Sequence, residues 1–481
     1  MSKDITHNKK FYVTTPIYYI NDIPHIGHAY STIAADVLAR YYREKLGSKN
    51  VLFVTGTDEN SQKTIDAAKQ AGVDLEVYTD KTAAKWQNVF DTLGISYDRF
   101  IRTTDKDHVD TVKDILQIVY DKGDIYRGVY EGLYCVGHEA FMKPEDLVDG
   151  LCPDHNKAPD HIKEKNWFFR LSKYQDQLLK HIDKNPEFIQ PVSRRNEILS
   201  FIRSKGLEDF SISRESQEWG IRLPFDESQV AYVWFDALLN YVTAAGYKKD
   251  EFSKWWPADV HIVGKDIIKF HCIYWPAMLL SAGLALPKQV FANGFFTIDN
   301  EKISKSLGNA VDPIELVEKY GNDAIRYFLL REIPFGSDGD FSRQRLKVVY
   351  NTELGNKLGN LVSRVSVMLE KYCDSSYDEI KIPTAPNLNE YIENLQFDKF
   401  LSDIISRVEQ LNTLLEETKP WELYKTDKTK VRSILSSIAC ELVYLAHTLK
   451  PVLIDSTDKI TKTFNAGKVD SKVGILFPKI D

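Results

Sequence analysis

The sequence predicts an α/β protein in which a parallel sheet, covered by helices, is split by a smaller insertion and followed by an all-α bundle. Three observations predict it. Strand-like and helix-like stretches alternate up to about residue 117 and again over 228–295, the rhythm of parallel strands joined by crossover helices. Over 118–227 that rhythm breaks, and paired cysteines and histidines appear. From about residue 351 apolar residues recur at helical spacing with no strand between them. A chain of 481 residues is too long for one core. We therefore expect 1–117 and 228–295 as the two halves of the sheet domain, 118–227 as the insertion, 296–350 as a connecting region and 351–481 as the bundle.

Composition sets limits. With 43% hydrophobic and 27% charged residues the chain is a soluble globular one. No apolar run is long enough to cross a membrane, and Met1–His7 lacks the apolar core of a secretory signal, so a cytoplasmic location is expected. Five scattered cysteines do not form a disulfide framework. A net charge of −7 excludes a globally basic nucleic-acid binder, but not one that uses a local basic strip.

Taken in order, Phe11–Ile20 is rich in β-branched and aromatic residues and reads as a strand and the loop leaving it. Pro24-His25-Ile26-Gly27-His28 follows, then a helix with Ile33, Val37 and Tyr41 every four residues. A helix start offers unpaired N–H groups and the positive end of its dipole, which favour phosphate. Gly27 lets a ligand approach the backbone, and two imidazoles three apart can address one anion. By itself His-x-x-His is a weak signal. Val51–Val54 is a short buried strand ended by Thr55-Gly56-Thr57-Asp58; Asp58, at the strand's carboxyl end, is either a helix cap or a ligand contact.

In the insertion, Cys135-Val136-Gly137-His138 and Cys152-Pro153-Asp154-His155 form two ligand pairs thirteen residues apart. Each suits a tight knuckle, and together they either close a structural tetrahedral Zn²⁺ site, which four ligand-type residues favour, or form a knuckle that folds without metal. Asn166–Arg170 looks like a return strand. The sheet rhythm resumes with Val230–Asp236, leading into a helix with Ala237 and Tyr241, and with His261–Asp266, leading into a helix with Phe270, His271 and Trp275. Gly264 permits close approach of a base or ribose, and Asp266 can accept from hydroxyls.

Farther on, Lys302-Ile303-Ser304-Lys305-Ser306-Leu307-Gly308-Asn309 puts two lysines three apart on a glycine-flanked loop suited to closing over polyphosphate. A helix begins near Asp312-Pro313. The bundle is marked by Leu354, Leu358, Leu361, Val365 and Leu369, then by helices over Phe397–Glu417 and Thr429–Lys450 after a polar loop at 374–389.

The histidine and lysine motifs in this order resemble the two signatures of the class I aminoacyl-tRNA synthetases, with Ile303 in place of the usual methionine. The resemblance runs from about Phe11 to Phe477 and is nearest to the methionine-specific branch. It implies a Rossmann-type catalytic domain and an α-helical anticodon-binding domain. It also implies L-methionine, ATP with Mg²⁺ and tRNA(Met) as substrates and partners, with methionyl-adenylate as intermediate.

On that resemblance His25, Gly27, His28, Lys302, Ser304 and Lys305 hold the ATP phosphates, with His25, His28, Lys302 and Lys305 as the catalytic set, and Gly264 and Asp266 hold the adenosine. The methionine pocket falls on Ile17, Tyr19, Asp58, Trp234, Ala237, Tyr241 and His271, with Asp58 on the α-amino group. Anticodon reading falls on Asn360, Arg364, Pro420 and Trp421. Departures occur at Leu238, where some members have proline, at Ile267, where some have alanine, at Asn60-Ser61, where the family has His-Gly, and at His138, which replaces a cysteine. Alternatives are a class I synthetase for another apolar amino acid, against which the short insertion argues, and a non-catalytic tRNA-binding paralogue, against which the intact motifs argue. Little chain follows the bundle, so we expect a monomer without a further dimerising domain.

Overall fold

The computed structural model describes residues 10–21, 23–135, 140–153, 156–215, 217–298, 301–303, 311–383, 385–471 and 474–480. The chain divides into two compact units, one of residues 1–23, 46–88 and 97–293, the other of 24–45, 89–96 and 294–481.

The first unit is built on a six-stranded, all-parallel sheet. Its first three strands in the chain are β1 (Phe11–Tyr19), β2 (Val51–Asp58) and β3 (Arg99–Arg102). Across the sheet the order is β3, β2, β1, then Val260–Gly264, Val290–Asn293 and Ile189–Gln190. The edge strand thus comes from within the 118–227 stretch. Helical crossovers run to one side from β1 through β2 to β3, while β1 pairs on its other flank with Val260–Gly264. Such a reversal of strand order opens a crevice at the carboxyl ends.

β1 carries Pro16, which has no N–H to give, and its ladder with β2 shifts register between Thr14 and Ile17. Beyond the shift Ile17 pairs with Gly56 and Tyr19 with Asp58, so the last residues of both strands lie side by side. The remainder of 118–227 holds the helices Gln175–Lys184 and Val192–Lys205 and antiparallel strands, the larger sheet ordered Ala140–Met142, Ile125–Cys135, Asp160–Phe169 and Phe210–Ser211. One apolar core, with Phe169, Phe188, Phe235 and Trp275 fully buried, joins these sheets to the parallel one.

The second unit is mainly helical, with two small sheets. The helix α1 (Ile26–Leu46) enters it with Asp36 fully buried against Arg326, at 2.6 Å. Arg326 also donates to the carbonyls of Leu93, Pro451 and Val452. Asp36 further accepts from Arg40 and from the Ser96 backbone N–H. Burial pushes the Asp36 carboxyl up, but Arg326 and Arg40 outweigh it and hold the group below its ordinary value. The bundle proper comprises Asn360–Cys373, Phe397–Thr418 and Lys428–Leu449. Its entry, Tyr350–Gly359, is a π-helical stretch. No helix among the described residues is long and apolar enough to cross a membrane.

Candidate active site

In the first unit the expected amino-acid pocket gathers around Trp234 and Tyr241. The helix expected to contain Ala237 and Tyr241 is two short ones, Val233–Ala237 and Asn240–Ala244. The Asn240 amide takes up the Ala237 carbonyl at 2.7 Å between them. Trp234 lies flat on Phe270, centroids 3.8 Å apart and planes within 4°, and meets Tyr19 edge to face at 6.4 Å. Its indole N–H is buried without an acceptor among the described residues. Phe270 opens a π-helical turn, Phe270–Tyr274, that also carries His271, the type of local unwinding that re-aims side chains at functional sites.

Tyr241 and His271 are both buried and hydrogen-bonded, hydroxyl to Nε2 at 2.8 Å. The other ring nitrogen, Nδ1, sits 3.0 Å from the Ile267 carbonyl, which only accepts. Nδ1 therefore carries the proton and Nε2 accepts from Tyr241. Burial lowers the His271 pKa to about 4, so the ring is neutral, and pushes the Tyr241 phenol up. The position of Tyr241 is fixed from below, where Tyr12 donates to its carbonyl at 2.7 Å.

Asp58 is buried at the end of β2. Asn60 and Ser61, where the family pattern has His-Gly, have definite work. Ser61 caps the helix Gln62–Ala71 by accepting from the Thr64 N–H. Asn60 donates to Asp236 at 2.7 Å, and His108 holds the other Asp236 oxygen at 2.7 Å through Nε2. All three are buried. Asp236 thus ties the loop after Asp58 to the helix that bears Trp234. Sequence reasoning missed Phe270 as a pocket wall and His108 altogether, and it placed Asp236 at the end of a strand where the structure has the helix Val233–Ala237; a lone histidine and an aspartate 128 positions apart carry no shared pattern. Gly264 ends its strand, and Asp266 stands exposed in the turn that follows.

In the second unit His25 precedes α1 and His28 lies in its first turn, ring centroids 3.8 Å apart. The Gly27 N–H donates to His25 Nδ1 at 3.1 Å, and the His25 N–H donates to His28 Nδ1 at 3.1 Å. Both Nδ1 atoms accept, so both rings carry their proton on Nε2. Burial, then the neighbouring His25, lowers the His28 pKa well below its ordinary value. A Cβ at Gly27 would stand 2.9 Å from His25 Cε1, so any side chain there would push the His25 ring out of this position. The first N–H of α1, on Ile26, donates to the Val311 carbonyl at 3.2 Å.

Lys302 pairs in a short hairpin strand, Glu301–Lys302, and Ile303 is buried. Ser304 and Lys305 lie outside the described residues, as do His138 and His155. Cys135 ends its strand and Cys152 begins a turn in which its carbonyl accepts from the Asn156 N–H, and both are buried. Among the described residues no three metal-binding side chains cluster. In the bundle, Asn360 and Arg364 share one face of a helix. Arg364 stands 5.9 Å over the Trp421 ring and pairs with Glu416 at 2.7 Å. Pro420 is buried at the first turn of the Pro420–Leu423 helix, where its missing N–H has no helical partner to lose.

A parallel sheet whose first strand runs into a helix with a paired-histidine start is the pattern of a class I aminoacyl-tRNA synthetase, and the family model described as tRNA synthetases class I (M) matches residues 11–161 and 155–366. The methionine–tRNA ligase of Caldanaerobacter subterraneus subsp. tengcongensis is 47% identical over 470 residues, 94% of this chain and 73% of that protein. That of Rickettsia felis is 43% identical over 478 residues, 95% and 92% of the two chains. The structure of Mycobacterium tuberculosis methionyl-tRNA synthetase in complex with methionyl-adenylate superposes with a TM-score of 0.93 at 38% identity, covering 98% of this chain and 100% of that one. The chain belongs to the methionine–tRNA ligase family.

Proposed function

We propose that the chain activates L-methionine with ATP and transfers it to the 3′ adenosine of tRNA(Met). What carries this reading is the buried Tyr241–His271 pair beside the Trp234–Phe270 stack, in a chain 47% identical to a methionine–tRNA ligase. A thioether offers a weak acceptor and a polarizable surface, so aromatic faces suit it better than strong donors. Tyr19 and Trp234 supply such faces, Ile17 and Ala237 the apolar lining, and Asp58 meets the α-ammonium group.

In the first step a methionine carboxylate oxygen attacks the α-phosphorus of ATP, the bond to the bridging oxygen breaks, and pyrophosphate leaves. Such transfer needs positioning and charge stabilisation more than a covalent partner. His25 and His28 give neutral Nε2–H donors whose tautomers the backbone sets. Gly27 keeps His25 folded against the helix start. Lys302, Ser304 and Lys305 act on the phosphates, and Gly264 and Asp266 on the adenosine. Mg²⁺ supplies further charge neutralisation to the pyrophosphate. In the second step a ribose hydroxyl attacks the activated carbonyl, the ester forms and AMP leaves; the departing phosphate takes the proton. Asn360, Arg364, Pro420 and Trp421 read the anticodon, with Trp421 as stacking surface.

Two buried thiols with a histidine three residues beyond each fit a tetrahedral zinc donor set. Cys135, His138, Cys152 and His155 would hold the metal as a cross-link in the insertion, with no part in the chemistry. We place the reaction in the cytoplasm. Charging of tRNA(Met) with labelled methionine tests the whole reading. Charging that collapses when the anticodon is changed is expected. A folded enzyme that forms the adenylate and charges no tRNA would overturn it.

A further inference from the structure

Just past the carboxyl ends of β2 and β3 the first unit holds a cavity of about 430 Å³, lined by none of the residues assigned above to methionine or ATP. Its volume lies within the range of roughly 300–1,000 Å³ typical of small-ligand sites. Asn60, two residues past the end of β2, and Thr103, the first residue past β3, both line it, and ligands of parallel sheets sit beyond the carboxyl ends of their strands. Asn60 is only two residues beyond Asp58.

The walls have a particular chemistry. Trp219 is half-buried, and its indole N–H donates to the Glu59 carbonyl at 3.0 Å, which fixes the ring in place. The Asn60 carbonyl accepts from Gln217, which steadies the same loop. Lys113 stands exposed on the helix Lys106–Asp121. Arg222 is also exposed, and its guanidinium reaches the carbonyls of Glu218 and Ser228. Arg102 is spent on Glu59 and Asp80, at 2.7 Å each, so the Asp80 charge is neutralised within the wall. Glu76 is then the remaining acid, set against Lys113 and Arg222. A held indole beside two exposed cations is the combination that binds unpaired nucleotides, the ring stacking a base and the cations meeting phosphates.

We propose that this cavity receives the unpaired 3′ end of tRNA, with one base on Trp219 and phosphates on Lys113 and Arg222. The proposal rests on the reading that the chain charges tRNA. It places the strand against the loop that follows Asp58, the residue proposed for the α-ammonium group of the amino acid.

The test compares the wild-type chain with a Lys113→Ala/Arg222→Ala variant, whose two positions are exposed, and with Trp219→Leu and Trp219→Tyr. Affinity is measured for intact tRNA(Met) and for the same tRNA lacking its three 3′-terminal nucleotides. Methionine-dependent ATP–pyrophosphate exchange is followed in parallel. The double variant and Trp219→Leu should each weaken intact tRNA about tenfold, Trp219→Tyr much less, and none should change exchange more than about twofold. With truncated tRNA the differences should vanish, which isolates the 3′ end as the partner. An equal loss with truncated tRNA, no loss with intact tRNA, or a fall in exchange parallel to the fall in binding would each overturn the proposal. Absence of methionine-dependent exchange in the wild-type chain would instead overturn the reading on which it rests.

Discussion

Gly27 shows how one missing atom shapes a site. Its N–H turns the His25 ring onto the helix start, and the ring then occupies the space a Cβ would need. We predict that Gly27→Ala folds normally but slows adenylate formation by on the order of 10²-fold, since displacements of about 1 Å carry penalties of that size; exchange rate and melting temperature measured together check this. Tyr241 and His271 invite a second prediction. Tyr241→Phe removes the hydroxyl that bonds His271, and the ratio of kcat/KM for methionine over norleucine should fall; an unchanged ratio would contradict the role given to the pair. The same histidine gives a pH dependence. Its folded pKa of about 4 lies below the unfolded value of about 6.5. The unfolded chain therefore binds the proton first as pH falls. Stability from this group is complete above about pH 6.5 and is lost toward pH 4, on the order of 3 kcal/mol in all. His271→Gln should flatten the stability profile in that window, as urea unfolding at several pH values would show. The sequence displayed the residues of this pocket through a resemblance, but not their protonation, which depends on burial and on the Ile267 carbonyl.

At the scale of elements, α1 depends on a charge in its middle. Asp36 and Arg326 are both fully buried, 290 positions apart, with three carbonyls completing the shell of Arg326. Removing one partner of such a pair leaves an uncompensated charge and costs about 3–5 kcal/mol. We expect Arg326→Met to destabilise by that amount and Asp36→Asn/Arg326→Met to recover part of it, as denaturant titration can measure. Strands and long helices were legible because their periodicity is local: Phe397–Thr418 and Lys428–Leu449 fall within a residue of the expected spans. The break between Ala237 and Asn240 was not legible, nor were the π turns at Phe270 and Tyr350, because apolar spacing hardly changes where a helix slips by one residue. The edge strand Ile189–Gln190 is two residues long, too short for any alternation. The Asn60–Asp236–His108 tie joins positions 176 and 128 apart and exists only after folding.

Across the whole molecule, the residues proposed for amino-acid selection, Asp58 included, fall in the first unit, and the histidine pair and the residues proposed for the anticodon fall in the second. The insertion gives a prediction of its own. Metal analysis of the purified chain should find about one zinc, lost in Cys152→Ala, with the stretch around residues 135–160 becoming the first site of proteolysis; metal-free protein with that stretch equally protected would contradict the zinc assignment. The central claim is that this pocket activates methionine. Its most direct test is ATP–pyrophosphate exchange with each of the twenty amino acids supplied singly. Exchange that responds strongly to methionine alone is the predicted result. Strong exchange with a different amino acid, or none with methionine from folded protein supplied with Mg²⁺, would contradict it.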